Sequence, residues 1–377
     1  MKLTDIVDRI NGNVDRFTTE LEYYIGGEHF ESNELEVTQK GLLKENLGKL
    51  GFKFHFAFQD RDVVFMARNP HLRKAGMVRF AGLCSDASYI LRSKDETVLS
   101  QEYLAVMLQS DHFWDYCESH KVGSVNFANN WSSIANYEFE LPTPEEQKEI
   151  SDKVWAAYRL KESYKKLLAA TEEMVKSQFI EMFGSSAERV ALSSLCDTFI
   201  DGDWIEAKDQ SDSGIRLIQT GNVGVGTFKD KGDKARYISE ETFNRLNCTE
   251  VVEEDILISR LPDPVGRACI IPAGLGKSIT AVDCTIIRLN DKVLPKFFVA
   301  FTNTPDYAMQ IKKVLSGTTR LRVSRANLGK IQIPIPSKEE QQQFVTKAEQ
   351  ADKSEFELRK SIKAIDAVIK SLINENL

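Results

Sequence analysis

Arginine, serine and threonine crowd into one short segment near the end of the chain, Ser316-Gly-Thr-Thr-Arg-Leu-Arg-Val-Ser-Arg325. An arginine can donate two hydrogen bonds to O6 and N7 of guanine, while hydroxyls and backbone amides suit phosphate oxygens. An earlier segment, Gly123-Ser-Val-Asn-Phe-Ala-Asn-Asn130, keeps the glycine but carries asparagine, which suits adenine. Two segments that share a glycine but carry different polar side chains favour recognition of two different base sequences. The alternative is a solvated loop of ordinary polar residues.

Two further basic segments follow stretches that are typical of buried strands. Arg68-Asn-Pro-His-Leu-Arg-Lys74 follows DVVFMA, and the segment from Arg260 to Arg267 follows DILIS. Basic turns at the ends of strands are compatible with a surface that faces phosphate. A charged turn without such a role is the alternative for both.

Catalytic motifs are missing from the sequence. GNVGVG (221–226) is glycine-rich, but no helix follows it, so a turn is a better interpretation than a dinucleotide site. GLGKSIT (274–280) lacks the first glycine of a phosphate-binding loop. No HExxH, helicase box, nuclease constellation or pair of ligand histidines occurs. We therefore expect a binding protein without catalytic residues or a metal site.

These segments recur because the chain contains one unit twice, at an offset of about 194 residues. Residues 141–183 align without a gap on 335–377, with Glu145-Glu146-Gln147 over Glu339-Glu340-Gln341. Apolar residues recur at heptad spacing in both segments, which predicts two long helices with a coiled-coil seam. Two core helices of separate domains are the alternative.

Each long helix is preceded by a segment whose sequence pattern predicts an α+β domain. The sequence predicts globular domains at 1–140 and 189–335 and long helices at 141–184 and 336–377. Since the repeat leaves a domain at corresponding ends of both helices, we expect the helices to pair as an antiparallel coiled coil. Within the first domain, AGMVRFAG and ASYILRS are expected to form paired strands, and residues 101–120 a helix.

Charge and composition limit the functional classes. The net charge of −7 argues against a protein that coats nucleic acid nonspecifically, although basic residues cluster locally. Between residues 64 and 94, only Asp86 opposes six basic residues: Arg68, Arg73, Lys74, Arg79, Arg92 and Lys94. The six cysteines form no CxxC, which favours buried thiols in a reducing cytoplasm. No signal peptide or membrane span is apparent.

With these motifs, the chain resembles the DNA-specificity subunit of Type I restriction–modification systems. The resemblance is carried by DVVFMARNPHLRKAGMVRFAGLCSDASYILR in the first copy, and by IRLIQTGNVG, EDILISR and LSGTTRLRVSRANLGKIQIPIPSKEEQQQF in the second. Residues 13–60 have only a loose counterpart in the second copy. The resemblance implies that the two domains are target-recognition domains, each reading one half of a bipartite DNA target. It also implies that the helices hold the domains at a fixed separation and dock two methyltransferase subunits.

Further partners and residues follow from the same resemblance. Restriction translocase/nuclease subunits would join for cleavage, and the partners would use S-adenosylmethionine, ATP and magnesium, while this chain needs no cofactor. The candidate DNA-binding residues are Arg68, Asn69, Arg73, Lys74, Ser124, Asn126, Asn129, Asn130, Asn222, Arg260, Arg267, Lys277, Thr318, Thr319, Arg320, Arg322 and Arg325. Two other classes stay open: a coiled-coil adaptor or DNA-binding protein outside restriction, and a nuclease-bearing enzyme with an unrecognised site.

Overall fold

The computed structural model describes residues 1–125, 127–185, 188–318 and 320–376. The chain divides into two compact units. Unit 1 comprises Met1–Lys166 and Leu358–Leu377, and unit 2 comprises Leu167–Glu357. Each unit therefore contains one globular copy together with a stretch of each long helix.

Unit 1 contains two sheets and a set of short helices before the first long helix. The helices are α1 (Leu3–Ile6), α2 (Leu43–Asn46), α3 (Gln101–Met107), α4 (Asp111–Ser119), α5 (Trp131–Ala135) and the long α6 (Pro144–Phe183). The strands are β1 (Val7–Ile10), β2 (Tyr23–Ile25), β3 (Glu36–Val37), β4 (Gly41–Leu42), β5 (Phe54–Phe58), β6 (Val63–Met66), β7 (Ala75–Val78), β8 (Gly82–Ser85) and β9 (Ser88–Ser93). One sheet has the order β1-β9-β6-β7-β3 and the other β4-β2-β8-β5.

Strand β6 lies between two hydrophobic cores, which explains its continuous apolar sequence. Val63 and Phe65 join a cluster with the helices, while Val64 and Met66 join a cluster with the second sheet. All four side chains are buried. A strand that is covered on both faces needs no polar alternation.

Two expectations for this domain are corrected by the structure. Strands β7 and β9 do not pair with each other, because β6 lies between them and β8 belongs to the other sheet. The helix expected at 101–120 is two helices, because the side chain of Ser110 accepts a hydrogen bond from the Phe113 amide and starts α4.

Unit 2 repeats this arrangement. Its strands are β10 (Arg189–Ala191), β11 (Cys196–Asp201), β12 (Gln210–Ser211), β13 (Ile215–Ile218), β14 (Arg236–Ile238), β15 (Ile256–Ser259), β16 (Ala268–Ile270), β17 (Ser278–Thr280), β18 (Cys284–Leu289) and β19 (Gln332–Pro334). Its helices are α7 (Glu240–Leu246), α8 (Pro295–Thr302), α9 (Pro305–Val314) and α10 (Arg325–Leu328), and the second long helix is α11 (Lys338–Asn374). The sheets have the orders β11-β18-β15-β16, β12-β14-β13-β17 and β10-β19. Strand β15 is again the strand buried on both faces.

Both long helices begin in the same way. Before α6, the Thr143 amide donates to Glu146 at 2.8 Å, and before α11 the Ser337 amide donates to Glu340 at 2.9 Å. In the next position, the side chains of Gln147 and Gln341 are buried. The side-chain oxygen of each glutamine accepts a hydrogen bond from a backbone amide of its globular copy, and the side-chain nitrogen donates one to a backbone carbonyl there. The repeated Glu-Glu-Gln is therefore a capping box followed by an anchor to the globular copy.

The helices contribute to the core of each unit. In unit 1, Val154 and Tyr158 of α6 share a cluster with Ile369 of α11. In unit 2, the ring of Phe179 of α6 lies 5.2 Å from that of Phe344 of α11. The early part of one helix thus packs with the late part of the other, as in an antiparallel pair. Within the described ranges, no helix is long and apolar enough to cross a membrane.

Candidate DNA interface

The basic loop of the second copy is a closed hairpin. Ser316 and Arg322 exchange two backbone hydrogen bonds, of 2.9 and 2.8 Å. Gly317 has φ +103°, and a Cβ added there would lie 2.4 Å from the Arg320 carbonyl oxygen. Only glycine fits this position, because it tolerates positive φ and leaves room for the returning chain.

The first copy builds the same loop from different side chains. Val122 and Ala128 exchange two backbone hydrogen bonds, of 2.8 and 2.9 Å, and Gly123 has φ +108°. At its tip, Val125 is 81% exposed. The loop frame is therefore shared, as the offset in sequence predicts.

Each loop is hydrogen-bonded to the residue that follows the strand buried on both faces, which is β6 in the first copy and β15 in the second. The Asn129 amide donates to the Ala67 carbonyl at 2.8 Å, and the Val323 amide donates to the Arg260 carbonyl at 3.2 Å. Asn129 and Val323 are both buried, so they are equivalent anchors rather than reading groups. Ala67, not Arg68, is thus the counterpart of Arg260.

In the first copy, this tie brings two predicted segments together. The Asn69 amide donates to the Phe127 carbonyl at 2.8 Å, and Arg68 forms a β-bridge with Ala128. The turn 68–74 and the loop 122–130 are therefore one surface. Arg68, Ser124 and Asn130 are exposed there, and Asn69 is half-buried in the left-handed region at φ 54°.

Exposed cations dominate the loop of the second copy. The side chains of Arg320, Arg322 and Arg325 are exposed, and none of them forms a salt bridge within the part of the chain that the structure describes. Thr318 is also exposed. Three guanidinium groups without carboxylate partners attract phosphate and can reach base edges. Asn126 and Thr319 lie outside the described residues.

Four predicted contact residues instead hold the scaffold together. The buried side chain of Asn129 donates to the Cys117 carbonyl at 2.7 Å, and that of Asn222 donates to the Lys229 carbonyl at 2.9 Å. Arg267 is buried and donates to four carbonyl oxygens, those of Thr220, Val223, Leu261 and Pro264. Lys74, the counterpart of Arg267, donates to the Gly27 carbonyl at 2.6 Å. Asn129, Asn222 and Arg267 are buried, so these three side chains are weaker candidates for DNA contact than the exposed groups. Lys74 is half-buried, and this hydrogen bond uses one of its three N–H donors.

Three more candidates have acidic partners. Arg73 forms a salt bridge with Asp111, and this guanidinium holds the pKa of that carboxyl below its ordinary value. Lys277 binds Glu240 at 2.9 Å, and Arg260 donates to the Val282 carbonyl and lies 3.4 Å from Asp201. Their charges are partly neutralised, so they are weaker candidates than the arginines of the loop.

The basic block predicted at 64–94 is smaller in the folded chain than in the sequence. Glu36 binds Arg79 at 2.9 Å, and Asp62 binds Arg92 at 2.8 Å. The bond between Asp111 and Arg73 removes a third charge. All three carboxylates lie outside residues 64–94, so only contacts in space reveal the neutralisation.

A pair of buried carboxylates escaped the sequence reasoning. The side chains of Asp62 and Asp255 are each 1% exposed and bind Arg92 and Arg288 through two hydrogen bonds. Each aspartate also accepts a backbone amide hydrogen bond. Both stand immediately before the buried strand of their copy, and this equivalence was the available signal.

Two other kinds of site, a reactive cysteine and a bound metal ion, were also considered from the described side chains. Burial raises the pKa of the Cys84 and Cys269 thiols to about 12, so both stay protonated at neutral pH. Among the residues that the structure describes, no group of three or more histidine, cysteine or acidic side chains could hold a metal ion.

Comparisons with known proteins agree with this architecture. Residues 185–366 match the family described as the Type I restriction modification DNA specificity domain. No curated protein matches the chain.

Two solved structures share the fold over the full chain. One comes from work on complex assembly and conformational transition of the type I R-M system; it is 15% identical, with a TM-score of 0.56, and covers 100% of this chain and 97% of that one. The other is the Type-I restriction-modification S subunit from M. genitalium; it is 12% identical, with a TM-score of 0.55, and covers 100% of this chain and 95% of that one. The matched region is the second copy of the internal repeat, so residues 185–366 belong to the family of Type I restriction modification DNA specificity domains, and the fold shared with the two solved structures extends over both copies.

Proposed function

We propose that each copy reads one half of a bipartite double-stranded DNA target. The first copy does so through the surface formed by 68–74 and 122–130, and the second through the loop 316–325. The exposed groups Arg68, Ser124 and Asn130 serve the first half-site. Thr318 and the three loop arginines serve the second.

One observation carries this proposal: the two loops share their backbone frame and differ in the side chains they expose. Both are closed by two hydrogen bonds, turn at a glycine with positive φ and are anchored at the same strand end. Their exposed faces carry a serine and an asparagine in one copy and arginines in the other. A common frame with exchanged reading groups is what two half-sites of different sequence require.

The two long helices act in this proposal as a spacer and a dock. They hold the copies at a set distance, much as dimer geometry sets the spacing of operator half-sites. Two methyltransferase subunits dock on them, and restriction translocase/nuclease subunits join for cleavage. Methyl transfer and cleavage, with S-adenosylmethionine, ATP and magnesium, belong to these partners, and the chain alone is non-catalytic.

The test is a map of methylated DNA in cells that contain the chain and its methyltransferase partner. Changing Arg320 and Arg322 to Ala should relax the second half-site and leave the first unchanged. Loss of a base contact costs about 1–3 kcal/mol. If the arginines meet only phosphate, methylation should fall at all sites alike and the salt dependence of binding should become shallower.

A reciprocal variant completes the test. Changing Arg68 and Asn130 to Ala should relax only the first half-site. Unchanged methylation with both pairs of substitutions would remove these loops from the interface. Methyl transfer by the isolated chain would contradict the assignment of chemistry to the partners.

A further inference from the structure

The two most exposed aromatic side chains of the described residues lie in different copies. Phe52 of unit 1 is 81% exposed, and Trp204 of unit 2 is 70% exposed. Phe52 precedes β5, whereas Trp204 follows β11, and the offset of about 194 residues does not relate one to the other. The internal repeat therefore does not explain why each copy exposes a large ring.

In unit 1, three backbone hydrogen bonds connect the segment of Phe52 to the loop 122–130. Their donors and acceptors are the Asp86 amide and Lys53 carbonyl at 3.1 Å, the Ala67 amide and Ala87 carbonyl at 2.9 Å, and the Asn129 amide and Ala67 carbonyl at 2.8 Å. Neighbouring hydrogen-bonded segments lie about 4.8 Å apart, so these steps cover about 15 Å. At about 3.4 Å per base pair, this is roughly four base pairs of one duplex.

Unit 2 connects the segment of Trp204 to the loop 316–325 in the same order. The donors and acceptors are the Asp203 amide and Thr280 carbonyl at 2.8 Å, the Arg260 amide and Asp283 carbonyl at 2.9 Å, and the Val323 amide and Arg260 carbonyl at 3.2 Å. The turn between β17 and β18 thus takes the place of the turn between β8 and β9. Each exposed ring therefore lies on the same side of its copy as the loop.

Cations lie close to Phe52. Arg16 donates to the carbonyl of Gly51, immediately before Phe52, and its guanidinium carbon lies 4.8 Å from the centre of the exposed Phe17 ring. Lys49 is exposed, and neither Arg16 nor Lys49 forms a salt bridge within the part of the chain that the structure describes. An exposed ring beside unpaired cations matches DNA, which presents nonpolar base surfaces between charged phosphates.

The charges beside Trp204 are mostly paired. Lys208 binds Glu206 at 2.9 Å, and the carboxylate of Asp203 accepts a hydrogen bond from the Thr249 amide at 3.0 Å. These partners reduce the repulsion between this segment and phosphate. The contribution of Trp204 to binding therefore comes from its ring.

We propose that Phe52 and Trp204 pack their rings against nonpolar surfaces of the DNA bases, Phe52 beside the first half-site and Trp204 beside the second. This inference rests on the proposed function, because it adds nonpolar contacts to the polar groups of the two loops. In a duplex, an aromatic ring meets such a surface at a thymine methyl group or by insertion between base pairs. The two rings thus extend the DNA interface of each copy beyond its loop.

Binding of target DNA by the chain together with its methyltransferase subunit tests this inference. Phe52→Ala and Trp204→Ala should each weaken binding about tenfold, because a nonpolar contact with a base is lost. The salt dependence of binding should stay as in the wild type, since no charge is removed. Phe52→Tyr and Trp204→Phe keep a ring and should restore most of the affinity.

The matched controls are Val98→Ala and Val252→Ala, which shorten exposed nonpolar side chains elsewhere in the two units. Val98 follows β9 and Val252 precedes β15, whereas the proposed contacts lie where β9 begins and β15 ends. Both controls should bind target DNA as the wild type does. A loss in the controls equal to that in the alanine variants of the aromatic residues would contradict a specific contact.

Tryptophan fluorescence gives a readout that a purely structural role would not change. Trp114 and Trp155 are buried and Trp131 is partly buried, so Trp204 is the most exposed tryptophan. The difference in fluorescence between the wild-type and Trp204→Phe complexes isolates its signal, and target DNA should shield that signal from acrylamide.

The outcomes separate this inference from the proposed function. Equal quenching of Trp204 with and without target DNA, or full affinity in both alanine variants, would overturn the inference and leave the proposed function standing. Failure of the wild-type complex to bind or methylate any bipartite site would overturn both.

Discussion

The two copies use one backbone frame, but they differ in what they attach to it. Lys74 and Arg267 occupy equivalent positions, yet the lysine donates one hydrogen bond to a carbonyl and the arginine donates four. The loops 122–130 and 316–325 differ in another way: their backbone frame is the same, and their exposed side chains are different. A basic residue in this chain can therefore belong to the scaffold or to the surface, and burial tells the two apart.

The distance between the copies is the feature whose change should have the largest consequence. Inserting four residues after Lys165 would lengthen α6 by about 6 Å. At about 3.4 Å per base pair, this corresponds to roughly two base pairs of extra spacing. An active mutant should methylate the same two half-sites across a longer gap, as a methylation map would show. An active mutant with the original gap would mean that the helices are not the spacer.

The comparison of Arg267 with Lys74 predicts unequal losses of stability. Changing Arg267 to Ala leaves four carbonyls without their donor, two in buried and two in partly buried hydrogen bonds, and should cost about 3–5 kcal/mol. Changing Lys74 to Ala removes one hydrogen bond and should cost about 1 kcal/mol. Chemical denaturation measures both, with exposed Arg322→Ala as the control that should not change stability. Equal losses for the two substitutions would contradict the difference drawn between the copies.

The equivalent buried carboxylates predict similar losses in the two copies. Changing Asp62 or Asp255 to Ala leaves an arginine without its partner and a backbone amide without its acceptor. Each change should cost about 2–3 kcal/mol, less than a fully buried ion pair, because Arg92 and Arg288 are partly exposed. Thermal unfolding of the two variants checks this. A loss confined to one copy would show that the shared geometry does not carry the same energy.

Asn129 offers the smallest and most discriminating change. Its counterpart is the apolar Val323, and its buried side-chain oxygen has no hydrogen-bond partner among the described residues. Changing Asn129 to Val should alter stability by no more than about 1 kcal/mol, since one hydrogen bond is lost while an unsatisfied oxygen is removed. The methylated sequence should stay the same. A relaxed first half-site would return Asn129 to the DNA interface.

Much of the architecture could be predicted from the chain because its signals are local or repeated. The Glu-Glu-Gln of 145–147 and 339–341, followed by apolar residues at heptad spacing, places both long helices. The apolar runs of β6 and β15 place the strands buried on both faces. The break at Ser110 was missed because a capping side chain interrupts a helix without changing its apolar pattern. The domain boundaries at 140 and 335 stay predictions.

By itself, the sequence determined the duplication, the two helices and the glycine-based loops, because repeats, periodicity and positive-φ positions need no knowledge of distant residues. The tertiary structure alone decided which basic residues remain available. Glu36 and Asp111 lie outside the basic block of 64–94 and neutralise arginines within it, and Arg267 is enclosed by carbonyls of two segments, 220–223 and 261–264. Charge pairing and burial depend on proximity in space, and the linear spacing of residues does not contain that proximity.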